Sequence, residues 1–127
     1  MEINHIGLYV FDLEGTKAFF EKYFGAHAGD MYHNRKTDFK SYMLSFDGGA
    51  RLEIMTRPGL VETPGERLRT GFIHLSLSVG AGEQVDALAA HLTADGYDVI
   101  DGPRTTGDGY YECCVVGVEN NLIEITV

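Results

Sequence analysis

At 127 residues the chain has room for one compact domain, and its 44% hydrophobic content is an ordinary globular value, unlike that of a disordered chain. A formal net charge of −9 repels a phosphate backbone, and no basic run marks a membrane surface, so nucleic-acid and membrane partners are not expected. No apolar stretch approaches the roughly 20 residues needed to span a bilayer. MEINHIGLYV reads as a strand rather than a leader, and the adjacent Cys113 and Cys114 form neither a CxxC motif nor a disulfide framework, so a cytoplasmic location is expected.

Residues 3–10 alternate apolar and polar and predict a strand. Asp12 can cap a following helix that runs to about Phe24 and places Phe20 and Phe24 at i, i+4. Three short strands are predicted at 28–32, 41–46 and 50–55, with Gly48-Gly49 as the turn before the last. Residues 56–71 carry two prolines and three glycines and read as a linker. A strand at 72–79 comes next, then a helix with Val85, Leu88, Ala89 and Leu92 on one stripe, closed by Gly96. Strands near 98–100, 110–116 and 122–126 finish the chain, with Asn120-Asn121 as a turn.

The order of elements occurs twice. HIGLYV from His5 matches HLSLSV from His74, an offset of 69. LEI at 52–54 matches IEI at 123–125, and Gly25 matches Gly96, both at an offset of 71. A repeat carried by several separated words predicts two βαβββ modules, residues 1–55 and 72–127. The expected fold class is α+β, with the modules forming one curved eight-stranded mixed sheet and helices on its convex side.

Each module places a His on its first strand and a Glu on its last. Strand alternation sets Glu53 between Leu52 and Ile54, Glu124 between Ile123 and Ile125, and His74 between Ile73 and Leu75. His5, Glu53, His74 and Glu124 therefore face away from the apolar, helix-packed side. Two carboxylates gathered without a counter-charge are costly. One divalent cation removes that cost, and mixed nitrogen and oxygen donors suit Zn, Ni, Co, Mn or Fe. A lone His or Glu is commonly structural, whereas four in matching register point to a metal site. Tyr9, Ser76 and Ser78 share the ligand face and can line a pocket for a small-molecule substrate. Arg57, Arg67, Arg69 and Arg104 are available for an anionic group, although a solvated loop is the commoner fate of such residues. His27, His33 and His91 lack repeat partners and are read as surface or structural.

INHIGLYV, FIHLSLSV and NLIEITV resemble the first, fifth and last strands of the vicinal oxygen chelate superfamily, which includes glyoxalase I, extradiol dioxygenases, methylmalonyl-CoA epimerases and fosfomycin-resistance enzymes. The two-His, two-Glu set is similar to that of the glyoxalase I type, where dioxygenases use two His and one Glu. The resemblance implies a metal-dependent lyase or isomerase. Such an enzyme chelates vicinal oxygens of a small substrate and moves a proton through an enediolate, with Glu124 or Glu53 as the catalytic base. It also implies a homodimer, as in many family members. The alternatives are a small-molecule binding or resistance protein using the same cup, as in bleomycin-resistance relatives that lack the metal ligands, and an Fe(II) dioxygenase. Two positions depart from the glutathione-dependent enzymes: Tyr9 stands where they usually carry Arg, and Arg57 where they carry Asn. Both departures argue against a glutathione adduct as substrate. GVENN replaces their DPDG turn.

Overall fold

A computed structural model describes residues 1–62 and 65–127. The chain divides into two compact units, residues 1–63 and 64–127. The expected linker at 56–71 includes residues 63 and 64, which lie outside the described residues.

The first unit runs β1 (His5–Tyr9), α1 (Leu13–Phe24), β2 (His27–Ala28), β3 (Tyr32–Asn34), β4 (Phe39–Ser45) and β5 (Arg51–Thr56). Its sheet has the order β1-β5-β4-β2, with β3 also paired to β4. The β1–β5 ladder is parallel and the others are antiparallel. Helix α1 starts where expected: the Asp12 side chain accepts from Gly15 N at 2.9 Å. It stops at Gly25, whose φ of 61° is left-handed and accommodated by glycine. Phe19, Phe20 and Leu13 of α1 are buried with Leu44, Leu52 and Ile54 of the sheet, which makes this unit's core.

The second unit runs β6 (His74–Ser78), α2 (Gly82–Ala94), β7 (Val99–Thr105), β8 (Tyr111–Val116) and β9 (Leu122–Thr126), with a short 3₁₀ turn at Val118–Asn120. The sheet order is β6-β9-β8-β7, again with a parallel first pair. Val85, Ala89 and Leu92 of α2 are buried with Cys113, Val115, Ile123 and Ile125.

The class is the expected α+β arrangement of two repeated modules. Among the described residues, nine strands form a five-stranded and a four-stranded sheet, whose ladders run within each module. The single strand expected at 28–32 is two short ones, β2 and β3, because Gly29 and Asp30 are poor strand formers. The strand expected at 98–100 extends to Thr105 despite Pro103. It lies at the sheet edge, where a missing N–H is tolerated, and its ladder shifts register around Asp101. Gly102 (φ 75°) is required there, since a Cβ would collide with the Glu112 carbonyl oxygen. Among the described residues no helix is long and apolar enough to cross a membrane.

Candidate functional site

In the first unit β1 pairs with β5 so that Gly7 lies opposite Glu53, two residues past His5. In the second, Ser76 lies opposite Glu124, two residues past His74. The register is the same in both modules. It makes each His and Glu diagonal neighbours on the face away from the helix, because residues two apart on a strand point the same way. Leu52, Ile54, Ile123 and Ile125, on either side of the two glutamates, face the helices and are buried.

His5 Nε2 lies 3.7 Å from Glu53 Oε2, with side chains 43% and 24% exposed. His74 Nε2 lies 3.6 Å from Glu124 Oε2, with side chains 36% and 20% exposed. Both separations exceed a hydrogen bond. They match what two ligands of one ion require: donors about 2.0–2.2 Å from a metal, at angles of about 90–120°, stand about 2.8–3.8 Å apart. The nitrogen and oxygen donors thus fit a divalent cation in chemistry and in spacing. Within neither unit does a third His, Cys, Asp or Glu among the described residues join the couple to form a ligand group.

The two couples are supported differently. Ser76 Oγ donates to Glu124 Oε1 at 2.6 Å, which leaves Oε2 facing His74. Gly7 occupies the equivalent rung in the first unit, and the Met55 methyl lies over it, 2.8 Å from where a Cβ would stand. There the histidine is supported: His5 Nδ1 lies 2.9 Å from Asn4 Oδ1, which also accepts from Arg51 Nη2 at 2.7 Å.

The other expected site residues fall as follows. Tyr9 lies opposite Met55 on the His5 face and is exposed. Ser78 lies opposite Thr126 on the His74 face, one pair beyond Ser76. Arg57 is exposed immediately past the end of β5. The structure brings together His5 with Glu53, and His74 with Glu124 and Ser76.

Several residues of the site faces escaped the sequence reading. On β8, Cys114 lies opposite Glu124 and Glu112 lies opposite Thr126, so both share the Glu124 face. Burial, followed by the nearby Glu124 carboxylate, raises the Glu112 pKa. Burial, followed by Glu124, also raises that of the Cys114 thiol. In the first unit Met43 holds the place opposite Glu53. Alternation along β8, once paired to β9, is the signal that would have found Glu112 and Cys114. The Asn4 side chain is next to His5 in sequence, but its role depends on the Arg51 side chain meeting it across the sheet.

A family model for the Glyoxalase/Bleomycin resistance protein/Dioxygenase superfamily matches residues 2–125. No curated protein matches the chain. A glyoxalase family protein from Bacillus cereus superposes with a TM-score of 0.81 at 18% identity, over 99% of this chain and 93% of that one. A second Bacillus cereus protein, described as a possible glyoxalase, gives 0.72 at 25% identity, over 100% and 99%. The fosfomycin resistance protein FosX from Listeria monocytogenes, complexed with Mn(II) and sulfate, gives 0.73 at 21% identity, over 98% and 90%. With 2–125 of its 127 residues matched, and with a repeated His and Glu couple on two βαβββ modules, the chain belongs to the Glyoxalase/Bleomycin resistance protein/Dioxygenase superfamily.

Proposed function

We propose that this protein is a metal-dependent lyase or isomerase of the glyoxalase type, with His5, Glu53, His74 and Glu124 as the ligands of one divalent ion. The observation that carries the reading is the repeated couple: Nε2 to Oε2 at 3.7 Å in one module and 3.6 Å in the other, at the same register. Chance placement of structural residues would not repeat both the residue types and the spacing. Zn, Ni, Co, Mn and Fe(II) all suit two imidazoles and two carboxylates. The FosX complex with Mn(II) adds weight to manganese in this fold.

When bound, the ion would act as a Lewis acid toward two neighbouring oxygens of a small substrate. The residues of the chain do the rest. His5 and His74 present neutral nitrogens and keep the site charge near zero. Glu53 or Glu124 takes the proton from the hydroxyl-bearing carbon beside the substrate carbonyl and returns it to the former carbonyl carbon, while the hydroxyl proton passes to the former carbonyl oxygen. Tyr9, Ser76 and Ser78 bind and orient the substrate from the ligand face, and Arg57 offers a guanidinium to an anionic group.

The active form is proposed to be a homodimer located in the cytoplasm. Among the described residues β1 and β6 each stand at the edge of their own sheet, and an edge strand favours association. Sedimentation at micromolar concentration is expected to give twice the chain mass, and a monomer would contradict the assembly.

The deciding experiment is elemental analysis of the purified protein beside His74→Ala and His91→Ala. Wild type and His91→Ala are expected to retain about one ion per site, because His91 lies on α2 beside Asp95, away from the strand couples. His74→Ala is expected to lose most of its metal. It is also expected to lose the increase in melting temperature that metal gives wild type. Full metal content in His74→Ala would refute the ligand set. A screen of α-hydroxy carbonyl and α-keto compounds then tests the reaction class.

A further inference from the structure

His5 is held on the side of its ring away from Glu53. Nδ1 lies 2.9 Å from Asn4 Oδ1, and the same oxygen accepts from Arg51 Nη2 at 2.7 Å. A guanidinium only donates, so the Asn4 atom it meets is the carbonyl oxygen and not the amide nitrogen. Facing an acceptor, Nδ1 must carry the hydrogen. In a neutral ring the lone pair is then on Nε2, the nitrogen directed at Glu53 Oε2 across 3.7 Å with no hydrogen bond between them.

We propose that Asn4, itself fixed by Arg51, is a positioning residue that holds His5 in its Nδ1–H tautomer and so presents the Nε2 lone pair beside Glu53. Its value to the protein rests on the metal-site reading above, since a ligand imidazole must offer a lone pair and keep its other nitrogen protonated. The two modules divide this task. At the position of Asn4 the second module has Ile73, whose side chain has no hydrogen-bond acceptor, and there the carboxylate is held instead, by Ser76. At the position of Ser76 the first module has Gly7. The fixed members are His5 in one couple and Glu124 in the other.

Asn4 and Arg51 are both exposed, and the backbone bond from Arg51 N to the Asn4 carbonyl does not depend on either side chain. Removing the Asn4 amide therefore tests positioning without threatening the fold. The experiment is long-range ¹H–¹⁵N NMR of the metal-free protein with ring-labelled histidine, at about pH 8, above the ordinary imidazole range. Wild type and Asn4→Asp, which keeps an acceptor, are expected to show His5 protonated on Nδ1. Asn4→Leu is expected to shift His5 toward the Nε2–H form with unchanged melting of the metal-free protein. Arg51→Met, which frees the amide to turn, is expected to give a mixture. Titration with Co(II), followed by visible absorption, should show a loss of about 10–100-fold in affinity for Asn4→Leu and recovery in Asn4→Asp. An Nε2–H His5 in wild type, or an Nδ1–H His5 retained in Asn4→Leu, overturns the proposal. If wild type shows the Nδ1–H ring and Asn4→Leu loses it, but wild type binds no Co(II), the tautomer lock stands and the metal-site reading fails.

Discussion

Ser76 Oγ donates to Glu124 Oε1 at 2.6 Å, while Gly7 occupies the matching rung beside Glu53. One oxygen of Glu124 is thereby committed, and the other is left toward His74. Support of this kind from outside the ligand set is commonly worth about 10-fold or more in metal affinity. Ser76→Ala is expected to weaken Co(II) binding by about that factor and to leave the melting of the metal-free protein nearly unchanged, because Ser76 is exposed. Equal affinity in a Co(II) titration would show that the hydroxyl does not orient Glu124.

Tyr9 and Arg57 bear on the substrate. Tyr9 stands exposed opposite Met55, whose methyl lies over Gly7, so this end of the His5 face offers an aromatic ring and a thioether. The methylglyoxal–glutathione adduct is expected to be turned over weakly or not at all. Steady-state kinetics with the metal-loaded protein check this, and turnover as efficient as that of a dedicated glyoxalase I would contradict it.

A repeated tyrosine ties each helix to its sheet. Tyr42 donates to Glu14 of α1 at 2.7 Å, and Tyr111 donates to Asp86 of α2 at 2.6 Å. Tyr42→Phe and Tyr111→Phe are each expected to lower the melting temperature by a few degrees, as loss of one hydrogen bond does in a domain of this size. The Tyr42 hydroxyl, followed by Lys17, lowers the Glu14 pKa. A lowered carboxylate stabilises the fold above its ordinary pKa, and that stability is lost as pH falls through the lowered value. Tyr42→Phe should therefore reduce the acid-side loss of stability, as read by urea unfolding between neutral pH and pH 3.

Cys113 gives a prediction on the alkaline side. Burial, and then the neighbouring Cys114, push its thiol up to about 11. A raised pKa means that the stability is fully present below the ordinary thiol value and is lost as pH rises through about 11. Cys113→Val keeps the apolar contact without a titrating group, so it should lose less stability than wild type between about pH 9 and 11. Native Cys113, 1% exposed, should also resist a thiol reagent that modifies the half-buried Cys114. Rapid modification of both would show that the strand opens.

The local chemistry of the sequence was sufficient to read the two helices and most of the strands. Asp12 and Gly25 mark the ends of α1, and the stripe of Val85, Ala89 and Leu92 marks the buried side of α2. Alternation around Glu53 and Glu124 was sufficient to assign their faces, because flanking apolar residues are driven inward whatever the partner strand is. The repeat marks His5, Glu53, His74 and Glu124 as a set in the sequence itself, independently of strand pairing.

Strand pairing decided what local pattern could not. That Gly7 faces Glu53 and Ser76 faces Glu124 follows from the register of two parallel ladders, formed by segments about 48 residues apart, as for Ser76 and Glu124. The placement of Glu112 and Cys114 beside Glu124, the meeting of Arg51 with Asn4, and the passage of β7 through Pro103 all depend on the same register and edge position. Side-chain identity and periodicity are local properties of the chain. Which side chains meet is set by the ladders that close between distant strands, and that is why the supports of His5 and Glu124 became visible in the tertiary structure alone.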